Sequence, residues 1–558
     1  MTLRNKRLTG SKTELAPADS PLTRRGLLKA AGTLSALSLA ACGSDDGGED
    51  PGPVDPGPVD PGPLGPETLF QHGVASGDPL PQGIILWTRV SPATETPVKV
   101  TWEIASDSNF RTIVDSGTFT TSADRDFTVK VDVQNLSPST TYYYRFKALR
   151  RTSLVGRTRT APSGAVERLR FAVVSCSSFA HGYFHTYRNL ASQLDLDAVL
   201  HLGDYIYEYP SGGYGNVREY EPENEILTLA DYRMRHSLYK RDADLQAVHQ
   251  QHPFITVWDD HETANDAYKD GADNHTPATE GAWAERKAAG QRAYAEWMPI
   301  REQDAGTRIF RKLSYGNLVD IVMLDTRLWA RTLQTGGVAG PAPTPDPART
   351  LLGADQEAWL SAQLQSSSAR WKLIGQQVMV GNLVIAQADD GTPTILGNLD
   401  QWHGYPESRA RLLDLLRGPS GSNAVVLTGD IHSSWANDIV TQPSQHDEGR
   451  GSLAVEFVAP AVTSPGLDTP RIQELIAEAR PINPHVRWFD TVKRGYVLVD
   501  VTEERVQGAW FHFEAIDTPE PRTAAFAAAW SVANGQRALT QDSEPAAPRS
   551  DAPPAAPV

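Results

Sequence analysis

Metal-ligating and charged side chains follow several short apolar runs of this chain, at the point where each run ends. The runs are residues 169–174, 198–202, 254–257, 318–324 and 424–427, and they are followed in turn by Cys176, Asp204, Asp259-Asp260-His261, Asp325-Thr326-Arg327 and Asp430-Ile431-His432. Short continuous apolar runs are typical of strands buried in an α/β sheet, and ligands bind outside the carboxyl ends of such strands. Taken alone, each residue also fits a helix N-cap or a core position. Their repetition at separate strand ends predicts one shared metal site.

The elements that position these residues form two regions with different patterns. Three more strands are predicted at 372–378, 453–458 and 495–501, and amphipathic runs typical of helices lie between several strands, at 185–194, 231–250, 281–297, 355–365 and 407–416. From about residue 69 to 160 the chain consists instead of β-type runs, at 84–90, 98–104, 127–133 and 141–147. Their alternation favours an antiparallel sandwich, and Asn135-Leu-Ser-Pro138 resembles a signature of fibronectin-like modules. The predicted fold class is α/β, preceded by a small all-β fibronectin-like domain.

Composition narrows the class of protein. The chain has 558 residues, with 52 Lys and Arg against 68 Asp and Glu, a formal net charge of -16. This balance opposes binding of polyanions by broad attraction and favours capture of divalent cations. No uninterrupted apolar run reaches the length of about 18 residues that a membrane-spanning helix needs. Cys42 and Cys176 are the two cysteines, so a disulfide framework does not stabilise the fold.

The N-terminal segment has the pattern of an export signal. Arg24 and Arg25 precede an apolar run over residues 30–41, which is too short to span a membrane but suits the apolar region of a signal peptide. The paired arginines resemble a twin-arginine signal, and Leu39-Ala40-Ala41-Cys42 resembles a lipoprotein cleavage site with Cys42 as the lipidated residue. An ordinary cleavage site with an incidental cysteine is the alternative. We expect export across the bacterial inner membrane and a lipid anchor on the periplasmic or extracellular face.

Three sequence motifs carry a resemblance to a known family. Gly203-Asp204-Tyr205-Ile206-Tyr207, Trp258-Asp259-Asp260-His261-Glu262 and Gly429-Asp430-Ile431-His432 are similar to metallophosphoesterase motifs. In this order and form they closely resemble the alkaline phosphatase D family, which is related to purple acid phosphatases, over residues 68–513. The resemblance implies an α-β-β-α sandwich that hydrolyses phosphomonoesters, phosphodiesters or both with metal-activated water. Together with the local patterns at both ends, it divides the chain into a signal peptide (1–41), a Pro/Gly-rich tether (42–67), a β-sandwich domain (68–162), a catalytic domain (163–520) and a C-terminal tail (521–558) with a disordered end.

The same resemblance implies a metal pair. Cys176, Tyr207 and His432 would hold Fe³⁺, because anionic thiolate and phenolate donors stabilise the trivalent ion, and Asp204 would bridge the two metals.

Asp260 and Asp430 stand where relatives have asparagine and histidine, and these carboxylates favour Ca²⁺ at the second position. Zn²⁺ or Mn²⁺ remain alternatives. Asp259, Glu262 and Asn265 either complete the calcium shell or a second calcium site, or support the site from outside.

Two further residues have candidate roles beside the metals. His261 is the candidate to protonate the leaving oxygen, and the alternative is that it only orients Asp260. Arg327 either binds a phosphate oxygen of the substrate or fixes a ligand carboxylate by an ion pair. Gln401 lies in a segment that is predicted to shape the rim, without a chemical role.

Three functions remain open at this stage. The first is an exported phosphoesterase acting on small phosphate esters or phosphodiester polymers. The second is a phospholipase D-type enzyme acting on lipid head groups, and the third is a non-catalytic surface binding protein. The expected partners are the twin-arginine export machinery and a membrane surface. No basic stripe indicates sequence-specific nucleic-acid binding, and the oligomeric state is not predicted.

Overall fold

The structure is a computed structural model that describes residues 64–336, 339–341, 343–387, 393–396 and 399–557. The predicted signal peptide, Cys42 and nearly all of the tether lie outside the described residues. The described residues belong to the unit Pro61–Val558. Within them, no helix has the length and apolar character needed to cross a membrane.

Each predicted strand and amphipathic run has a counterpart in the structure to within a few residues, but the structure also has strands that were not predicted, such as Val74–Leu80, Ile113–Thr121 and Ser434–Ile439. The strands are β1 (Val74–Leu80), β2 (Gly83–Arg89), β3 (Val98–Ala105), β4 (Ile113–Thr121), β5 (Thr128–Val133), β6 (Thr141–Ala148), β7 (Arg151–Thr152), β8 (Gly156–Arg159), β9 (Arg168–Val174), β10 (Ala198–His201), β11 (Pro253–Thr256), β12 (Arg311–Tyr315), β13 (Val319–Met323), β14 (Ala339–Pro341), β15 (Trp371–Gln376), β16 (Val384–Gln387), β17 (Pro393–Leu396), β18 (Ala424–Thr428), β19 (Ser434–Ile439), β20 (Ala454–Val458), β21 (Val486–Asp490), β22 (Arg494–Thr502), β23 (Arg505–Phe513), β24 (Ala525–Ala533) and β25 (Thr540–Asp542). The helices are α1 (His185–Ala191), α2 (Leu229–Lys240), α3 (Ala243–Gln251), α4 (Pro277–Glu280), α5 (Trp283–Trp297), α6 (Gly353–Ser366), α7 (Pro406–Arg417) and α8 (Pro470–Ala479).

Two large mixed sheets carry the predicted ligand loops. One has ten strands in the order β25-β24-β23-β22-β9-β10-β11-β1-β2-β5, and β9, β10 and β11 are parallel. The other has seven strands in the order β12-β13-β15-β18-β20-β19-β21, and β13, β15, β18 and β20 are parallel. Parallel neighbours end at the same edge of their sheet. The loops after β9, β10, β11, β13 and β18 are therefore grouped in space.

The two large sheets share one apolar core, with helices as further layers. Phe171 of β9 and Leu373 of β15 belong to the same buried cluster. Ile374, the next residue of β15, belongs instead to a second cluster with Leu360 of α6 and Leu412 of α7. Alternate side chains of a strand face opposite sides, so β15 is buried on both faces. This confirms the α/β prediction and its layered arrangement.

The N-terminal all-β region is confirmed, but its strands divide between two sheets. β3, β4, β6, β7 and β8 form a separate antiparallel sheet. β1, β2 and β5 instead extend the ten-stranded sheet, because β1 pairs in parallel with β11. Gly77 of β1 permits this pairing, since a Cβ there would lie 2.7 Å from the carbonyl oxygen of its partner Phe254 in β11. The region is thus built onto the sheet that carries the candidate site.

The predicted disorder of the C-terminal end is wrong for the described residues. β24 and β25 pair at the edge of the ten-stranded sheet. Beyond them, Arg549 binds Asp197 at 3.0 Å, and Tyr143 donates a hydrogen bond to the carbonyl oxygen of Pro554 at 2.8 Å. Ala556 is buried. A segment poor in apolar residues becomes ordered here because it binds a surface formed by the rest of the fold.

Candidate active site

The predicted ligands lie at sharp turns directly after the parallel strands. Cys176, Asp204, Asp430 and His432 all have left-handed backbone conformations, with φ of 60°, 55°, 61° and 53°. Non-glycine residues adopt this region rarely, and strain of this kind concentrates at functional sites. The turns bring side chains from β9, β10 and β18 into one cluster, in which Cys176, Asp204 and His432 offer ligand atoms within 4.8 Å of one another.

Glu262 joins the turn after β10 to the turn after β11. Its carboxylate accepts hydrogen bonds from the backbone amides of Asp204 at 3.1 Å, Tyr205 at 2.6 Å and Asp259 at 2.8 Å. Gly203 allows the turns to approach, because a Cβ at this position would lie 2.4 Å from the Cβ of Asp259. Burial, followed by the charge of Asp204, raises the pKa of Glu262 to about 8. Of the two roles left open for Glu262, its contacts favour support of the site.

Tyr207 adjoins the group formed by Cys176, Asp204 and His432. Its hydroxyl donates to Asp204 Oδ2 at 3.0 Å, lies 3.3 Å from His432 Nε2 and accepts from Ser464 Oγ at 2.6 Å. The other ring nitrogen of His432, Nδ1, lies 2.9 Å from the carbonyl oxygen of Pro465, so Nε2 is directed toward Asp204.

Burial and the adjacent Asp204 raise the pKa of both the Tyr207 phenol and the Cys176 thiol well above their ordinary values. These are donors that a strongly charged cation would deprotonate.

Two further groups of potential ligands in the cluster consist mostly of carboxylates. Asp259, Asp260 and Asp430 form one group of potential ligands, and Asp204, Asp260 and His261 form another, each within 4.8 Å. Asp204 thus belongs to groups on both sides, as the predicted bridging role requires.

Burial, only partly offset by Arg327, raises the pKa of Asp430 to about 6 and that of Asp259 well above its ordinary value. Burial also acts to raise the pKa of Asp260, but Arg327 and His261 outweigh it and the pKa falls.

Two buried oxygens of this cluster fit a metal. Asp204 Oδ1 and Asp259 Oδ2 have no hydrogen-bond donor in the described part of the chain. Buried acceptors without a partner are costly, and clustered buried carboxylates repel one another. Hard cations take oxygen ligands of this kind, and a thiolate, phenolate and imidazole set suits a transition metal. The residues present therefore fit the two-metal arrangement that the resemblance implies.

Arg327 holds the acidic side of the cluster together. Its side chain is fully buried and contacts Asp259 at 2.5 Å, Asp400 at 2.5 Å and Asp430 at 2.6 Å. A buried guanidinium that is bound by carboxylates on several sides has no exposed edge for substrate. Of the two predicted roles, these contacts favour the ion pair with the ligand carboxylates over binding of substrate.

His261 lies inside the site and has a carboxylate partner that sequence reasoning missed. Its Nδ1 is 2.7 Å from Glu208 Oε2, and its ring stacks on Tyr207 with centroids 4.2 Å apart. The other oxygen of Glu208 accepts a hydrogen bond from the backbone amide of Asn265 at 2.7 Å. Burial acts to lower the pKa of His261, but Glu208 and Asp260 outweigh it and raise the pKa well above its usual value. The only sequence signal for Glu208 is its place directly after Tyr207.

Two more residues have contacts that differ from the sequence-based expectation: Gln401 was predicted only to shape the rim, and Asp325 was one of the strand-end residues expected at the metal site. Gln401 Nε2 donates to Asp430 Oδ2 at 2.6 Å, so Gln401 orients a predicted ligand. Asp325 accepts from Trp258 Nε1 at 3.0 Å and from the Arg327 amide at 2.9 Å, so it shapes the turn that carries Arg327 and not the cluster itself.

Comparisons with known proteins show the family to which the chain belongs. The family model described as PhoD-like phosphatase matches residues 171–510, and the model of the PhoD-like phosphatase N-terminal domain matches residues 63–162. The chain is 37% identical over 457 residues to alkaline phosphatase D of Bacillus subtilis, covering 78% of this chain and 76% of that protein. It also matches a solved structure of PhoD with a TM-score of 0.78 at 35% identity, over 86% of this chain and 92% of that one. The chain therefore belongs to the PhoD-like phosphatase family and is a hydrolase of phosphoric ester bonds.

Proposed function

We propose that this protein is an exported, metal-dependent phosphoesterase that hydrolyses phosphomonoesters, phosphodiesters or both. The observation that carries the proposal is the overlap of two ligand groups at Asp204, together with Asp204 Oδ1 and Asp259 Oδ2, which are buried without a hydrogen-bond donor among the described residues. A structural salt-bridge cluster would have satisfied these oxygens with donors.

The donor set divides into a softer and a harder half. Cys176, Tyr207 and His432 would hold Fe³⁺, and Asp260 and Asp430 would hold Ca²⁺, with Asp204 shared between the ions. When bound, such a pair activates water and neutralises charge on the transferred phosphoryl group.

The protein's own groups prepare the site for this chemistry. His261 keeps its Nδ1 on Glu208, so its other nitrogen is free to donate a proton toward the departing oxygen. Arg327 and Gln401 hold Asp430 in place, and Glu262 fixes the backbone on which Asp204 and Asp259 stand.

Metal content is the direct test of the ligand assignment. We expect purified protein to contain iron and calcium in whole-number ratios, with a visible absorption band from phenolate bound to iron. Cys176→Ser should lower the iron content and the activity, whereas Cys42→Ser, the same change at the other cysteine, should leave both unchanged. Full iron content in Cys176→Ser would contradict the assignment.

Substrate assays separate the alternatives. Hydrolysis of bis-p-nitrophenyl phosphate and p-nitrophenyl phosphate, measured with calcium and then with EDTA, distinguishes an enzyme from a binding protein and diesters from monoesters. Release of choline from phosphatidylcholine vesicles tests the phospholipase D-type alternative. EDTA-resistant hydrolysis would refute dependence on calcium.

We also propose that residues 1–41 direct twin-arginine export and that Cys42 anchors the protein to a membrane surface. The paired arginines and the sequence before Cys42 support this. Mass spectrometry of membrane-extracted protein tests it, because lipidation adds acyl mass to an N-terminal Cys42 peptide. Release of a soluble protein with an unmodified cysteine would contradict the anchor.

A further inference from the structure

Tyr214, His181 and Arg494 lie beside the cluster and are not used by the proposed chemistry. The segment 211–215 reads Ser-Gly-Gly-Tyr-Gly and presents Tyr214. The Tyr214 ring lies nearly parallel to Tyr207, with centroids 5.6 Å apart, and to His261, at 6.3 Å. Tyr214 is half-buried, so it extends the aromatic stack from the cluster toward solvent. Gly215 has φ of +85°, and a Cβ there would lie 2.8 Å from His181 Nδ1, so the loop needs glycine to lie this close.

His181 lies beside Tyr214. Its ring meets Tyr214 edge-on with centroids 4.4 Å apart, and its Nδ1 lies 2.8 Å from Ser178 Oγ. This contact leaves Nε2 as the nitrogen available to a ligand. Burial first, and then the charges of His432 and Arg494, lower the pKa of His181 to about 4. His181 thus lies within electrostatic range of His432 and Arg494.

Arg494 provides a cation near the cluster and is connected to Tyr207 through Ser464. Its Nε donates to the Ser464 carbonyl oxygen at 2.9 Å, and Ser464 Oγ in turn donates to the Tyr207 hydroxyl at 2.6 Å. Its Nη2 is 3.9 Å from Asp468, whose side chain is 50% exposed, so this ion pair is long and weak.

Arg494 is more exposed than the arginines deeper in the site. Arg327 and Arg331 are fully buried and bound by carboxylates, whereas the Arg494 side chain keeps 16% of its surface exposed. In a chain with a net charge of -16, a partly exposed cation beside the cluster attracts anions locally.

We propose that Arg494, His181 and Tyr214 form a subsite for a second anionic group of the substrate, carried beyond the scissile phosphate. The proposal rests on the proposed function and names its substrate class as esters that bear two or more phosphates. The guanidinium binds the second phosphate, the imidazole donates a hydrogen bond to it, and the tyrosine ring packs against the connecting part of the substrate.

A pair of substrates that differ by one phosphate tests this subsite. Thymidine 5′-(p-nitrophenyl phosphate) with and without a 3′-phosphate has the same scissile bond and the same coloured product. For the unaltered protein we expect kcat/KM about tenfold higher for the 3′-phosphorylated compound, through a lower KM. Arg494→Gln should reduce this ratio to about one, and Arg494→Lys should keep part of it.

A second variant gives an effect of opposite sign. Asp468→Asn removes the carboxylate that competes for Arg494, so the ratio should rise about twofold to threefold and fall again as salt is added. Arg450→Gln is the matched control, because Arg450 is an exposed arginine paired with Asp447, and its ratio should equal that of the unaltered protein.

The outcomes separate this inference from the function on which it rests. Absence of metal-dependent hydrolysis of both compounds would refute the proposed function. Hydrolysis with a ratio near one in the unaltered protein, or a ratio that Arg494→Gln and Asp468→Asn leave unchanged, would refute the subsite alone. If Arg494→Gln is unfolded by circular dichroism, the Asp468→Asn ratio decides.

Discussion

Replacing Arg327 by methionine distinguishes an arginine that holds the site from one that binds substrate. The side chain is fully buried, and its three closest partners, Asp259, Asp400 and Asp430, lie at 2.5–2.6 Å. Methionine has a similar length but no charge, so these carboxylates would lose a shared cation in a buried environment. Removing one partner of a buried ion pair typically costs about 3–5 kcal/mol.

Only some of this cost can be recovered by other contacts. Asp400 retains Arg331, and Asp430 retains the hydrogen bond from Gln401, whereas Asp259 Oδ2 has no described donor. We therefore expect Arg327→Met to lower the free energy of unfolding of the metal-free protein by about 3–5 kcal/mol. Saturating calcium should recover part of this loss, because a cation that binds the native carboxylates stabilises the folded state.

Urea unfolding of the metal-free and calcium-loaded forms measures the loss of stability and its recovery by calcium. Steady-state kinetics measure KM. Arg331→Met is a matched control: it removes a buried arginine that contacts Asp400 but none of the predicted ligands. It should destabilise the protein without changing the calcium dependence. Unaltered unfolding of Arg327→Met together with a raised KM would refute the assigned role and restore substrate binding.

Three further predictions concern other parts of the molecule. Glu208→Gln should reduce kcat about 10–100-fold without loss of folded protein by circular dichroism, because it removes the charge that holds His261, and unchanged kinetics would contradict this role. Arg549→Ala should lower the free energy of unfolding in urea by about 1–3 kcal/mol, since charged hydrogen bonds to Asp197 are lost; no change would mean that the C-terminal end adds no stability. Burial lowers the pKa of His236 to about 3, so only the unfolded chain binds its proton between pH 6.5 and 3, and stability falls with decreasing pH by about 1.4 kcal/mol per unit. His236→Phe keeps the ring and should make this fall shallower by that amount, and an unchanged slope would contradict it.

Much of the fold was predictable because its signals are local. Eight strands in this part of the chain were recognised as short apolar runs (β9, β10, β11, β13, β15, β18, β20 and β22), and the start of α5 was predicted to within two residues. The buried strand β19 was missed. Helices α2 and α3 were predicted as one segment, since the break at Arg241 and Asp242 lies in a continuous amphipathic pattern.

β1 was missed as a strand. Its residues Ser76-Gly77-Asp78-Pro79 have poor strand propensity, and they become a strand through pairing with β11 and β2.

The sequence by itself determined which residues meet at the site. Cys176, Asp204, Asp260 and Asp430 follow parallel strands, and the chain direction of parallel strands places such residues at one edge. What each side chain does there was decided by tertiary structure. Arg327 became a buried ion-pair partner, Glu208 and Gln401 acquired partners, and the C-terminal end became ordered. Burial and the charges that surround a group depend on residues far apart in sequence, so no local pattern carries them.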